Sequence, residues 1–299
     1  MTDAFEKKTR QVFHEIQTAI LDDESQKRRT LLTSSPEYMG VEPSFFEGKT
    51  CLEAGCGSIA PGTQSMLAAG ASMVKAVDLD ESIFEIAPKY LAQFDGRYEL
   101  VAGSVLKLPF PDKTFDFSLC CAVLHHTSDP LRGLREVCRV TKPGGSIFVN
   151  TQGAGGLMKA ITRAAHDLYL NDESFRDHID GLTAETMRGA LRWIGREMLA
   201  NDDKAGNTML ADSIVNLLDQ DLVLTIFDRI KAPAYNDITE ADLLAVLDEF
   251  GFTQRRRISH YHQFKNVRRF LAPMYYRPHD PLAKVMYGEG MLEYFARRD

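Results

Sequence analysis

The segment Cys51-Leu52-Glu53-Ala54-Gly55-Cys56-Gly57-Ser58 ends a short apolar run on an acid and follows it with two glycines two residues apart. Glycines at such a bend let the backbone approach a ligand where a side chain would collide. Alone the pattern is weak, because Gly-x-Gly turns also open dinucleotide-binding folds. A second acid strengthens it. Asp78, 23 residues beyond Gly55, closes the next β-like run, where a carboxylate can accept both hydroxyls of a ribose. In doubly wound sheets ligands sit outside the carboxyl ends of the strands, and both acids map to that edge.

Other residues at this edge bear on reactivity. His125, followed by His126, comes after the fourth apolar run. Imidazole titrates near neutrality, which makes His125 the first candidate for a general base. The competing reading is a histidine that packs and hydrogen-bonds at a helix start. Asp129 before Pro130 reads as a helix cap. His260 and His262 alternate on an expected strand and share a face, but no third ligand stands at a diagnostic spacing and no metal is expected. Arg255, Arg256 and Arg257, with Arg268 and Arg269, form a group able to clamp a phosphate or carboxylate; a solvated edge is the plainer alternative. Tyr261, Tyr275, Tyr276, Tyr287 and Tyr294 read as packing rather than as a substrate cage.

The elements that must position these residues alternate. Strands are expected at Thr50–Ala54, Met73–Val77, Tyr98–Ala102, Phe115–Ala122 and Ser146–Asn150. Helices are expected at Gln64–Ala69, Ser82–Phe94 and Leu131–Thr141, the last stopped by Pro143-Gly144-Gly145. This order predicts an α/β fold with a doubly wound, mostly parallel sheet and right-handed crossovers. A helical insertion follows the fifth strand. Met187, Leu191, Ile194 and Met198 form one apolar stripe, and Leu210, Ile214, Leu217 and Leu218 another. Thr239 is expected to cap a helix ended by Gly251, and Phe252–Phe264 to form a strand. Val12, Ile16 and Ile20 mark an amphipathic helix near the N-terminus. The divisions are therefore an N-terminal helical segment (1–48), an α/β cofactor-binding core (49–152), a helical lid or interface (153–232), and a completion of the core with a basic aromatic tail (233–299).

Read in order, Glu-Ala-Gly-Cys-Gly-Ser from Glu53, Val-Asp-Leu-Asp from Val77, Leu-Pro-Phe-Pro-Asp-Lys-Thr-Phe-Asp from Leu108, Val-Leu-His-His from Val123 and Lys-Pro-Gly-Gly from Lys142 resemble the class I S-adenosylmethionine-dependent methyltransferases. The resemblance is close over roughly 49–151 and loose from Thr239 to about Phe264. It implies a Rossmann-like methyltransferase fold and S-adenosyl-L-methionine as cofactor. It also implies that Glu53, Gly55 and Gly57 line the methionine end, that Asp78 takes the ribose, and that Leu79 packs on the adenine. Ser104 and Val105 then stand at the adenine edge, and the backbone near Cys121 and Ala122 passes the methionine portion. His125, with His126, occupies the place where some similar enzymes use a histidine to assist deprotonation. Two positions depart from the pattern: Ile59 stands where the turn usually has a third glycine, and Ser104 replaces the usual Asp, so a charged acceptor for the adenine amine is lost. A dehydrogenase reading would tolerate Ala60, three residues after Gly57, but gives the Leu-Pro-Phe and Val-Leu-His-His elements no role.

Composition narrows the class further. The chain has 299 residues, 44% hydrophobic and 26% charged, as in ordinary globular proteins. Its formal charge is −7, divided between ten Lys/Arg against four Asp/Glu from Gly251 to Asp299 and an acidic remainder. That acidic bulk argues against nucleic-acid binding. No apolar run is long enough to span a membrane, and the acidic start Met-Thr-Asp-Ala-Phe-Glu lacks a signal core. The five cysteines (Cys51, Cys56, Cys120, Cys121 and Cys138) form no Cys-x-x-Cys pair and fit a reduced, cytoplasmic protein. The expected function is methyl transfer to a small-molecule acceptor by a chain able to form a homodimer. The rivals are an RNA- or protein-modifying methyltransferase and a cofactor-binding protein without catalysis.

Overall fold

The structure, a computed structural model, describes residues 2–21, 24–183, 186, 189, 190, 193, 225–258 and 280–299. The stripes at Met187–Met198 and Leu210–Leu218, His260, His262, Arg268, Arg269, Tyr261, Tyr275 and Tyr276 lie outside the described residues. Two compact units divide the chain: one comprises residues 1–154, 233–260 and 289–299, the other 155–232 and 261–288.

The first unit is built on a seven-stranded sheet in the order β3-β2-β1-β4-β5-β7-β6. Its strands are β1 (Thr50–Ala54), β2 (Met73–Asp78), β3 (Tyr98–Ala102), β4 (Phe115–Cys121), β5 (Thr141–Gln152), β6 (Gln254–Arg257) and β7 (Met291–Arg297). The first five pair in parallel, and β7 joins β5 and β6 antiparallel. The expected doubly wound, mostly parallel sheet is present. Its faces carry separate cores. One packs Leu52, Cys120 and Val149 under α6 (Pro130–Val140) and α9 (Glu240–Glu249). The other packs Phe117, Leu119 and Phe148 against Met66 and Leu67 of α4 (Pro61–Ala68). Burial of apolar side chains on both faces explains why these strands read as apolar runs rather than alternating ones.

Several boundaries differ from the sequence reading, each for a local reason. The continuous helix expected over Ser82–Phe94 is a 3-10 turn at Glu81–Glu85, α5 (Pro88–Leu91) and a second 3-10 turn. Pro88 has no N–H to continue the preceding turn and takes the first helical position instead. Helix α6 ends at Val140, and β5 begins at Thr141 rather than after the Pro-Gly-Gly, because Thr141 already pairs with Phe115. Strand β7 went unread: Met291–Arg297 has buried residues on both faces and carries Glu293 inside. Asp129 caps α6 through Arg132 N–H at 3.0 Å, and Thr239 caps α9 through Asp242 N–H at 3.0 Å, as expected.

The N-terminal stretch is three helices: α1 (Thr2–Leu21), α2 (Glu24–Thr33) and α3 (Pro36–Met39). In the second unit α7 (Leu157–Asn171) and α8 (Glu173–Asp180) enclose Tyr169, Ile179 and Ile230. His166 Nδ1 lies 2.9 Å from the carbonyl of Ile230, and Lys231 pairs with Asp180 at 3.2 Å. This unit also contains α10 (Pro281–Tyr287). Among the described residues no helix is long and apolar enough to cross a membrane.

Candidate functional site

The carboxyl edge of β1 is shaped by its turn. Gly55 and Gly57 hold φ of +83° and +60°, in the left-handed region that other residues avoid. A Cβ on Gly55 would lie 2.2 Å from Val123 Cγ2. The amides of Gly55 and Cys56 donate to the carbonyl of Val77 at 2.8 and 3.0 Å, which folds the turn against the end of β2. Ala60, at the third position after Gly57, also holds a positive φ of 44° and precedes Pro61 of α4.

Asp78 locks the two strand ends together. One carboxylate oxygen accepts from Gly57 N–H at 2.9 Å and the other from Asp80 N–H at 3.0 Å. Each oxygen keeps a lone pair for a further donor. Burial raises the carboxyl above its usual range, opposed by those same amides. Asp78 thus sits where a diol can meet it.

Glu53 faces the other way. Its oxygens accept from Gly62 N–H (2.8 Å), Thr63 N–H (2.7 Å) and the Thr63 hydroxyl (2.7 Å), so it caps α4. Burial nevertheless pushes its carboxyl up to about 7. Any contact from Glu53 to a methionine ammonium must share those oxygens with α4.

Ser104 follows β3, with Val105 buried beside it. Its hydroxyl donates to Glu6 of α1 at 2.6 Å and accepts from Leu106 N–H at 3.2 Å. Leu79 stands directly after Asp78 and is half-buried. At the end of β4, Cys121 is half-buried and Ala122 takes φ +59°, its amide donating to the Asn150 carbonyl at 2.9 Å. Burial, together with the carboxylates of Glu293 and Glu53, pushes the Cys121 thiol up to about 12, so it is neutral rather than nucleophilic.

The two histidines are buried in a short 3-10 turn. His125 Nδ1 is 3.4 Å from the Thr151 hydroxyl, and its backbone carbonyl accepts from Asn236 N–H at 2.7 Å. The rings of His125 and His126 lie 4.0 Å apart, and Phe13 of α1 packs on His126 at 4.6 Å. At 2% exposure His125 is positioned by this packing as much as it is available for chemistry.

Two groups at this edge were not legible as site residues. Helix α1 crosses the loops: Gln17 Oε1 accepts from Ser58 N–H at 3.0 Å, His14 Nδ1 lies 2.9 Å from Asp80 Oδ2, and Glu6 meets Ser104. Polar residues beside an apolar stripe look like any solvated helix face, so the sequence carries no signal for this. The second group is Glu293 on β7, opposite Asn150 on β5. Its Oε1 accepts from the Tyr38 hydroxyl at 2.6 Å and from the Asn150 side chain, while Oε2 is buried without a partner among the described residues. The arginines of β6 are committed inside the first unit. Arg255 pairs with Asp248, Arg256 donates to the carbonyls of Met39 and Gly40, and Arg257 pairs with Glu240.

Residues 52–149 match the family model described as a methyltransferase domain. This segment is similar to methyltransferase domains. A demethylmenaquinone methyltransferase from Clavibacter sepedonicus is 34% identical over 130 residues, covering 44% of this chain and 50% of that one. The 27-O-demethylrifamycin SV methyltransferase of Amycolatopsis mediterranei is 30% identical over 128 residues, 42% of this chain and 47% of its own. The chain thus spans about half the length of the curated relatives it matches. The solved structure of 1,6-didemethyltoxoflavin-N1-methyltransferase from Burkholderia thailandensis aligns with all of this chain and 90% of its own, at 15% identity and a TM-score of 0.50, a likeness of fold. The residues singled out at the carboxyl edge from Glu53 to His126 lie inside the matched segment. Glu6, Gln17, Tyr38, Asn150 and Glu293 lie outside it.

Proposed function

We propose that this protein is an S-adenosylmethionine-dependent methyltransferase acting on a small-molecule acceptor. The observation that carries the reading is the joint between Gly57 and Asp78: a left-handed glycine turn and a half-buried carboxylate with spare acceptor capacity meet at adjacent strand ends. The names of the matched relatives specify small-molecule acceptors, demethylmenaquinone and 27-O-demethylrifamycin SV.

The residues fit the cofactor. Gly55 and Gly57 give the turn the left-handed backbone beside which the methionine portion would run, and Asp78 offers oxygens to the ribose hydroxyls. The sulfonium supplies an electrophilic methyl group when bound. The chain has the remaining tasks. It must align a nucleophile with the transferring carbon, a contribution of about 7–11 kcal/mol when the reacting atoms are held at attack distance. A hydroxyl or protonated amine acceptor must also lose a proton, and His125, held near Thr151, is the group we assign to receive it.

Two measurements test this. Calorimetry with S-adenosylhomocysteine should give saturable binding, and a methyl-transfer screen over quinols, phenols and amines should return an acceptor. In that assay His125→Ala should lower turnover on the order of a hundredfold while leaving S-adenosylhomocysteine affinity in place. Full turnover in the variant would assign His125 to packing alone. Strongly salt-dependent RNA binding would favour a nucleic-acid substrate instead.

A further inference from the structure

Helix α1 turns one side toward the loops of the sheet edge. Glu6, Phe13, His14 and Gln17 fall within about a third of a helical turn of one another. Each reaches a different loop: Glu6 the one after β3, His14 the one after β2, Gln17 the one after β1, and Phe13 the histidine turn after β4. A Cβ on Gly57 would come 2.8 Å from Gln17 Oε1, so the bare side of the glycine turn faces this helix.

The contact at Ser104 is the informative one. Ser104 uses its proton on Glu6 and one of its two lone pairs on Leu106 N–H, so a single neutral acceptor site remains on its hydroxyl. Beside it, helix α1 sets the Glu6 carboxylate against the loop after β3, an acceptor-only group when ionised and a stronger acceptor than a neutral hydroxyl. A nucleoside held at its ribose by Asp78 has the glycine turn on its β1 side. Its base therefore extends the other way, past Leu79 toward the loop after β3, where Ser104 and Glu6 meet.

We propose that Glu6 is the specificity residue for the base of the cofactor: its carboxylate accepts from the exocyclic amine of adenine and disfavours a base with a carbonyl at that position. The inference rests on the methyltransferase reading above and adds a residue from outside the matched domain. An amine donor meeting a carboxylate gains a charge-assisted hydrogen bond. A carbonyl oxygen at the same place sets acceptor against acceptor, and a site that leaves such a group unpaired rejects it strongly.

The test uses two probes on the full chain, S-adenosylhomocysteine and S-inosylhomocysteine, which differ by that amine against a carbonyl. Calorimetry on the wild type should show tighter binding of the adenosyl compound by roughly tenfold or more. Glu6→Ala should reduce this preference to about twofold or less by weakening the adenosyl compound selectively. In Glu6→Gln the amide can donate to the carbonyl, so the preference should also shrink, chiefly through tighter binding of the inosyl compound. Gln17→Ala, which touches the β1 turn, should weaken both probes alike and leave their ratio unchanged. A wild type that binds both equally would overturn the proposal, as would a preference that survives in Glu6→Ala. Binding of neither probe by the wild type would overturn the methyltransferase reading, and this inference with it.

Discussion

The two halves of the sheet's carboxyl edge are built from different materials. On the side of β1, β2 and β3 the site is mostly backbone: a glycine turn, the amides of Gly57 and Asp80, and one carboxylate that ties them together. On the side of β4, β5 and β7 it is mostly buried side chains from distant segments. Tyr38, Asn150 and Glu293 meet there across 255 residues of sequence, and His125 meets Thr151 nearby. A backbone site is written in short contiguous motifs, because turn geometry is local. A side-chain site depends on strand order, which no local spacing encodes.

If that contrast holds, substitutions on the first side should act on ligand binding and those on the second on stability and pH response. The largest effect is expected from Asp78→Ala, which removes the proposed ribose acceptor and strands Gly57 N–H. S-adenosylhomocysteine affinity should fall by roughly 30-fold or more, and unchanged calorimetric affinity would remove the ribose assignment. Gly55→Ala comes next. A methyl group 2.2 Å from Val123, at φ +83°, should cost about 2–4 kcal/mol in chemical denaturation and weaken binding as the turn shifts.

On the other side the sign of the pH response is set by Glu293. Burial pushes its carboxyl up to about 7 from an ordinary value of 4.5, against the pull of the Tyr38 and Asn150 hydrogen bonds and the Arg257 charge. A group that holds its proton more tightly when folded contributes stability below its unfolded value and loses it as pH rises through the folded one. Stability should therefore decline between pH 5 and 8, with Glu53 adding to the decline in the same direction. Glu293→Gln should flatten that decline by roughly 1–3 kcal/mol. A denaturation profile parallel to wild type would show that Glu293 stays ionised throughout. The smallest effect is expected from Tyr38→Phe, which removes one donor to Glu293. It should cost about 1 kcal/mol near neutral pH and less at pH 5, where the carboxyl is protonated.

The same contrast accounts for what the sequence disclosed. Five parallel strands, the glycine turn, Asp78 and the caps at Asp129 and Thr239 all follow from local rules, and all are present. Strand β7 escaped because Met-Leu-Glu-Tyr-Phe-Ala-Arg neither alternates nor runs purely apolar: its neighbours β5 and β6 and the helices on both faces bury it, Glu293 included. The break at Pro88 was readable in principle, since proline cannot continue a helix without losing a hydrogen bond. The placement of α1 was not. Val12, Ile16 and Ile20 show that the helix has a buried side, but only the fold shows that Glu6, His14 and Gln17 beside that stripe touch the loops of the site.

The joint between the glycine turn and Asp78 is the proposed nucleoside-binding edge on which the cofactor assignment rests. Titration of the purified chain with S-adenosylhomocysteine, run beside Asp78→Ala, tests this most directly. The account predicts saturable one-to-one binding by the wild type that is largely lost in the variant. A wild type that takes up none of this compound would contradict it.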